Sequence, residues 1–186
     1  MNEASETITY VGLTNCSCQM QVECIRGNCH SGLGCSNQQM QDRATSELSV
    51  KKHISKGIAL FAGESIWSGD FVCEYTGEVI TRQEYRLRAS QLVGATNYYG
   101  VVGDNDEIID ARNFGSVARF ANHSCQPNCV LERWDVCGET CCGLFARVDI
   151  ASGDEITFDY GASGRIVEVW ILCRCSTTQC RGYVPG

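Results

Sequence analysis

The sequence predicts a mainly β fold of several small sheets with short helices, flanked by cysteine-rich segments that bind zinc. Three observations lead there. Residues 48 to 161 hold a series of short runs rich in β-branched and aromatic residues, separated by glycine-containing turns. A single Thr-x-x-Glu helix-start signal interrupts the series. Cysteines gather outside it, five between residues 16 and 35 and three between residues 173 and 180.

The elements follow in order. A-L-F-A-G-E-S-I (59–66) and F-V-C-E-Y-T-G-E-V-I (71–80) read as strands joined by a Gly-Asp turn. Thr81 and Glu84 form the capping signal, so a helix is expected over 81–91. Five further runs read as strands: Y-Y-G-V-V-G (98–103), E-I-I-D-A (107–111), C-V-L-E-R-W-D-V (129–136), G-L-F-A-R-V-D-I (143–150) and E-I-T-F-D-Y (155–160). Turns are expected at Gly103-Asp104, Gly138-Glu139 and Ser152-Gly153.

With 186 residues, 44% hydrophobic and 20% charged, the chain suits one well-cored domain with small appendages. No apolar run approaches the roughly 20 residues of a membrane span. The start, M-N-E-A-S-E-T-I-T-Y, has neither the basic nor the apolar part of a signal peptide. The net charge of −7 disfavours general binding of nucleic acid, which needs a basic surface. It suits a basic peptide partner, although solubility alone also accounts for it.

Fourteen cysteines without an export signal point to zinc ligands or reduced thiols rather than seven disulfides. Cys173, Cys175 and Cys180 form C-x-C-x4-C, one ligand short of tetrahedral zinc. The stretch R-F-A-N-H-S-C-Q-P-N-C (119–129) offers Cys125 or Cys129 as the fourth; the alternative is three free surface cysteines. Near the N-terminus, Cys16, Cys18, Cys24, Cys29 and Cys35 exceed the four ligands of one zinc, and His30 is read as solvated. Cys73, between Val72 and Glu74, is expected in the core.

Several of these stretches share one further property. N-H-S-C-x-P-N-C (122–129), G-D-E-I-T-F-D-Y (153–160) and C-x-C-x4-C-R-G-Y (173–183), with E74-Y75-x-G77-E78 and I109-D110-A111, stand in the order found in SET-domain lysine methyltransferases that carry a post-SET zinc motif. The chain resembles that family from about residue 48 to 183. C24-x4-C29-x5-C35-S-N-Q-Q-x-Q resembles the cysteine-rich AWS segment and places the chain nearest the histone H3 lysine-36 branch. The resemblance implies an AWS-like segment over 11–47, a SET domain over 48–161 and a post-SET segment over 169–185.

It also implies a pseudoknot, with S-adenosylmethionine in one cleft and the substrate lysine entering from the opposite face. Lys56, Gly57, Ile58, Asn97, Tyr98, Asn122 and His123 would contact the cofactor, His123 through its backbone. Tyr160 would be the catalytic tyrosine, with Tyr99 and Phe158 lining the lysine channel; Phe158 leaves room that favours di- or trimethylation. Cys125 would complete a zinc site with Cys173, Cys175 and Cys180. Cys24, Cys29 and Cys35 would share a second zinc with Cys16 or Cys18, whereas Cys137, Cys141 and Cys142 are read as reduced thiols.

The implied partner is the histone H3 tail in the nucleosome, with nuclear residence, a monomeric state, and no sequence-specific DNA contact or membrane. No strong base is required, because an apolar channel beside a sulfonium lowers a lysine pKa from its usual ~10.4. Where the family has K-G-x-G this chain has K-G-I-A, and Ala59 would be strained if its φ were positive. That departure motivates a second reading, a catalytically weak SET module acting as a zinc-held scaffold; a non-histone substrate is a third.

Overall fold

Strand-forming sequence dominates, and the computed structural model arranges the described residues as five small sheets with one main core and two smaller apolar clusters. It describes residues 20–91, 99–104, 106–163 and 171–184. Asn97, Tyr98, Cys16 and Cys18 lie outside the described residues.

β1 (Leu48–His53) and β2 (Gly57–Ala62) form an antiparallel hairpin in which Leu48 faces Ala62 and His53 faces Gly57. Reading alone did not mark β1, because Lys51 and Lys52 interrupt its alternation. β3 (Phe71–Tyr75) and β4 (Glu78–Thr81) replace the single strand expected over 71–80. The break falls at Thr76-Gly77, where a Cβ on Gly77 would come within 2.6 Å of the Asp110 backbone. Only glycine lets the chain cross there and leave one sheet for another.

Thr81 caps α1 (Arg82–Ser90) by accepting the Glu84 amide at 3.2 Å. Glu84 does not return the bond; its carboxylate takes Arg88 Nε at 3.0 Å, one helical turn on. Arg88 also reaches Glu78 and the fully buried Asp110, which ties the helix to the sheet formed by β4, β6 (Glu107–Asp110) and β5 (Gly100–Val102).

β8 (Cys129–Val136) and β9 (Glu139–Ala146) pair along their whole length, and β3 joins the far edge of β9. Their turn is Cys137-Gly138, with both residues at positive φ, the geometry of a two-residue hairpin. β9 therefore begins four residues before the expected strand. One face of this sheet supplies Leu131, Cys142, Leu144 and Cys73 to the main core. The other carries Trp134 stacked on Phe145 at 5.1 Å, beneath Met40 of the N-terminal segment. That segment adds Val22 alongside Asp135 at the β8 edge.

β7 (Asn122–His123) and β10 (Thr157–Phe158) pair in parallel, although 33 residues or more separate them. This pairing is the knot. The chain ends with a small hairpin of β11 (Ile171–Leu172) and β12 (Tyr183–Val184).

Candidate functional site

The knot places aromatic side chains from four segments together. Phe158 ends β10, and Tyr160 opens a 3-10 turn (Tyr160–Ser163) rather than continuing a strand. Their rings lie 4.8 Å apart. The Tyr160 hydroxyl donates to the Ala121 carbonyl at 2.9 Å, just before β7. Tyr99 packs against the same core, and its carbonyl accepts the Tyr75 hydroxyl at 3.0 Å and the Ala111 amide at 2.9 Å. Burial, reinforced by Tyr99 and Glu155, pushes the Tyr160 phenol above its ordinary value; burial also pushes Tyr75 up, with Tyr160 beside it. The Tyr160 and Tyr75 hydroxyls are therefore neutral donors at physiological pH.

A second group of polar residues gathers at Asn122 of β7. The β1–β2 turn holds Lys56, and β2 opens with Gly57 at φ +88° and the exposed Ile58. A Cβ on Gly57 would meet nothing within 4 Å, so the backbone there borders open space. Ala59 is wholly buried in β2 and is not among the positive-φ residues, so the strain feared for it does not arise. Glu155 organises the group: it accepts Lys56 Nζ at 2.6 Å and Asn122 Nδ2 at 2.9 Å, while Asn122 Nδ2 also donates to the Ile58 carbonyl at 3.1 Å. Arg174, from the C-terminal segment, reaches the Ser55 carbonyl at 2.9 Å.

The C-terminal cysteines lie beside Cys125, two residues after the knot strand β7. The sulfurs of Cys125, Cys173, Cys175 and Cys180 all lie within 4.8 Å of one another, Cys125 and Cys173 at 3.8 Å. A tetrahedron of Zn–S bonds near 2.3 Å has edges of about 3.8 Å, so the four fit zinc. Backbone amides donate to these sulfurs, Arg181 N to Cys125 at 3.3 Å and Gly182 N to Cys180 at 3.4 Å. Cys129, the other candidate, is buried in β8 and does not join the four.

Cys24, Cys29 and Cys35 form a second trio within the same distance, enough for three of four zinc ligands. A backbone hydrogen bond at Ser31, then the Cys35 thiol, brings Cys29 down to about 7, and Asn37 Nδ2 donates to Cys24. No described cysteine is in a disulfide. Cys73 and Cys142 are core residues, whereas Cys137 is exposed at its turn.

The described site residues therefore fall into three groups: Tyr160, Tyr99 and Phe158; Lys56, Gly57, Ile58, Asn122 and His123; and the cysteines. Three residues were not singled out from sequence. Tyr75 looked like an ordinary strand tyrosine, and only the position of the Tyr99 carbonyl distinguishes it. Glu155 and Arg181 sit inside quoted motifs but had no assigned task; Arg181 pairs with Asp159 at 2.7 Å, next to Tyr160. The His123 ring is held neutral by burial, which lowers it to about 4 against the opposing pull of Asp159.

Comparison with known proteins agrees with this architecture. The family model described as SET domain matches residues 57–161. The chain is 38% identical over 169 residues to the histone-lysine N-methyltransferase ASHH2 of Arabidopsis thaliana, covering 90% of this chain and 10% of that relative. It is 39% identical over 168 residues to the Homo sapiens histone-lysine N-methyltransferase named H3 lysine-36 specific, covering 87% of this chain and 6% of that relative. The chain thus spans a tenth or less of these relatives' length. Among solved structures, the methyltransferase domain of human histone-lysine N-methyltransferase SETMAR superimposes with TM-score 0.77 at 27% identity, covering 88% of this chain and 66% of that one. A ctPRC2 structure, autoinhibited and bound to S-adenosylmethionine, gives TM-score 0.71 at 26% identity over 80% of this chain and 21% of that one. The chain belongs to the SET-domain family.

Proposed function

We propose that this protein is an S-adenosylmethionine-dependent protein-lysine N-methyltransferase acting on the histone H3 tail, at lysine 36, with di- or trimethyl product. The observation that carries the reading is the enclosure of the Tyr160 hydroxyl. It hangs from the Ala121 carbonyl among Tyr75, Tyr99 and Phe158, just before the strand that bears Asn122. The relatives' printed names and the family match support the reaction and substrate class. The division into an AWS-like segment over 11–47, a SET domain over 48–161 and a post-SET segment over 169–185 belongs to the same proposal.

The residues fit the cofactor. An adenosine joined to a zwitterionic amino acid needs backbone and amide partners beside an apolar surface. The open backbone at Gly57, the exposed Ile58 side chain and the Asn122 carboxamide provide these. Bound there, the cofactor supplies an electrophilic methyl group on a positive sulfur. Lys56, Gly57, Ile58, Asn122 and the backbone of His123 would hold it, along with Asn97 and Tyr98.

The remaining work is positioning. Tyr160 and Tyr99 orient the lysine amine, and Phe158 shapes the room around it. The aromatic walls exclude water and disfavour an ammonium, so the amine arrives as a nucleophile without a dedicated base. Cys125, Cys173, Cys175 and Cys180 would hold a zinc and so tie the C-terminal segment to the site, and Cys24, Cys29 and Cys35, with Cys16 or Cys18, would hold a second that orders the N-terminal segment. Nuclear residence follows from this reading.

Titration calorimetry with S-adenosylmethionine, followed by mass spectrometric fragmentation of H3 tail peptides after incubation, tests it. Binding with methyl gain at lysine 36 is expected. No heat of binding from the folded, zinc-loaded protein would favour the scaffold reading. Binding without gain on H3 would favour a non-histone substrate.

A further inference from the structure

The ring of His123 touches two groups that the sequence holds far apart. Its Nδ1 accepts the backbone amide of Tyr160 at 3.2 Å, and its Nε2 lies 3.4 Å from the Cys125 sulfur. A backbone amide only donates, so Nδ1 must offer a lone pair, and the ring proton belongs on Nε2. That proton points at the sulfur. The opposite tautomer would set one N–H against another. The Asp159 carboxylate, 3.6 Å from Nδ1, offers it little, because Oδ1 already takes Arg181 Nη2 at 2.7 Å and the Gly161 amide at 3.0 Å.

A second connection runs beside the first. Arg181 donates its backbone N–H to the Cys125 sulfur and its guanidinium to Asp159, the residue before Tyr160. Cys125 therefore has two donors, and each also holds a neighbouring residue of the site, His123 the Tyr160 amide and Arg181 the Asp159 carboxylate. The Tyr160 hydroxyl hangs from Ala121, two residues before His123. Anchor, ring and metal ligand thus occupy five consecutive residues.

We propose that His123 is a positioning residue that couples metal occupancy at Cys125 to the placement of the Tyr160 hydroxyl, with Nε2–H on the sulfur and Nδ1 on the Tyr160 amide. This rests on the reading of Tyr160 as the catalytic tyrosine and of the four cysteines as a zinc site. With the metal bound, the sulfur has a fixed place and the ring a fixed acceptor. Without it, the four sulfurs lose their common centre, and the ring loses one of the two contacts that set its plane. The Tyr160 amide then follows the ring. Donors to ligand atoms of this kind typically matter about tenfold to a hundredfold in metal affinity or activity.

The test is nuclear magnetic resonance on the histidine-labelled, zinc-loaded protein, before and after chelation. The expected result is a His123 ring protonated at Nε2 and bare at Nδ1, with a Tyr160 amide signal that moves on chelation more than that of Val136 beside the β8–β9 turn. A ring protonated at Nδ1, or a Tyr160 amide indifferent to zinc, would overturn the proposal. His123→Phe supplies a kinetic arm. It should lower kcat by about tenfold to a hundredfold with little change in S-adenosylmethionine affinity, and add nothing to Tyr160→Phe in the double variant. An additive double variant would count against action through Tyr160. The resonance arm needs no substrate, so a protein with the expected tautomer and zinc response but no methyl transfer would support the coupling and remove the catalytic reading instead.

Discussion

The carbonyl oxygen of Tyr99 accepts the hydroxyl of Tyr75 at 3.0 Å, and the same oxygen takes the Ala111 amide at 2.9 Å. Tyr75 belongs to the β3–β9–β8 sheet and Ala111 follows the β4–β6–β5 sheet, so one oxygen joins the two sheets where the proposed lysine channel lies. In Tyr75→Phe the carbonyl keeps one bond, and the loss of the other should cost about 0.5–1.5 kcal/mol in urea denaturation. Tyr99 would lose its lateral support, and methyl transfer should fall by more than stability accounts for, by up to about a hundredfold. A rate unchanged from wild type would remove Tyr75 from the site.

Lys56 and Glu155 form an enclosed ion pair, with side chains 11% and 17% exposed, and the two partners are not equivalent. Glu155→Gln leaves the Lys56 ammonium without its counter-charge. Lys56→Met leaves Glu155 still accepting Asn122 at 2.9 Å. Glu155→Gln should therefore be the costlier change, by roughly 3 kcal/mol against about half that for Lys56→Met. Chemical denaturation of both variants checks the ordering, and equal losses would contradict it.

Gly77→Ala should be strongly destabilising without touching any catalytic group. Its Cβ would come within 2.6 Å of Asp110 carbon and oxygen, and both are backbone atoms that cannot swing aside. A loss of about 1–3 kcal/mol is expected, with a matching fall in the thermal midpoint. A midpoint within a degree or so of wild type would show that the crossing is looser than the geometry requires.

Burial pushes the thiols of Cys73 and Cys129 up from 9.0 to about 12. Their folded pKa values lie above the unfolded ones, so their contribution is intact below pH about 9 and is lost as pH rises towards about 12. Each thiol should add ~1.4 kcal/mol per pH unit to the alkaline loss of stability across that window. Denaturation curves at several pH values should show Cys73→Ala with a slope shallower by that amount. An unchanged slope would mean that Cys73 does not titrate on unfolding as its burial requires.

How far the sequence disclosed this molecule depended on whether a residue's task is local. Cys125, Cys173, Cys175 and Cys180 were legible because thiols at short spacings carry their chemistry with them, although the missing fourth ligand was left between Cys125 and Cys129. Thr81 announced α1, since a cap bonds within its own turn. The run 71–80 read as one strand because both halves favour β structure, and its break depends on Asp110, more than thirty residues away. β1 stayed hidden because its partner β2, not its own pattern with Lys51 and Lys52, makes it a strand. Tyr75 and the His123 ring were silent for the same reason, as their partners Tyr99 and Tyr160 arrive only through the fold.

The most direct test of the whole account is intact-mass analysis of recombinant nucleosomes incubated with the zinc-loaded protein and S-adenosylmethionine, beside a Tyr160→Phe control. The account predicts histone H3 heavier by two or three methyl groups, with the gain strongly reduced in the control. An H3 mass unchanged by a folded, zinc-loaded and cofactor-binding protein would contradict it.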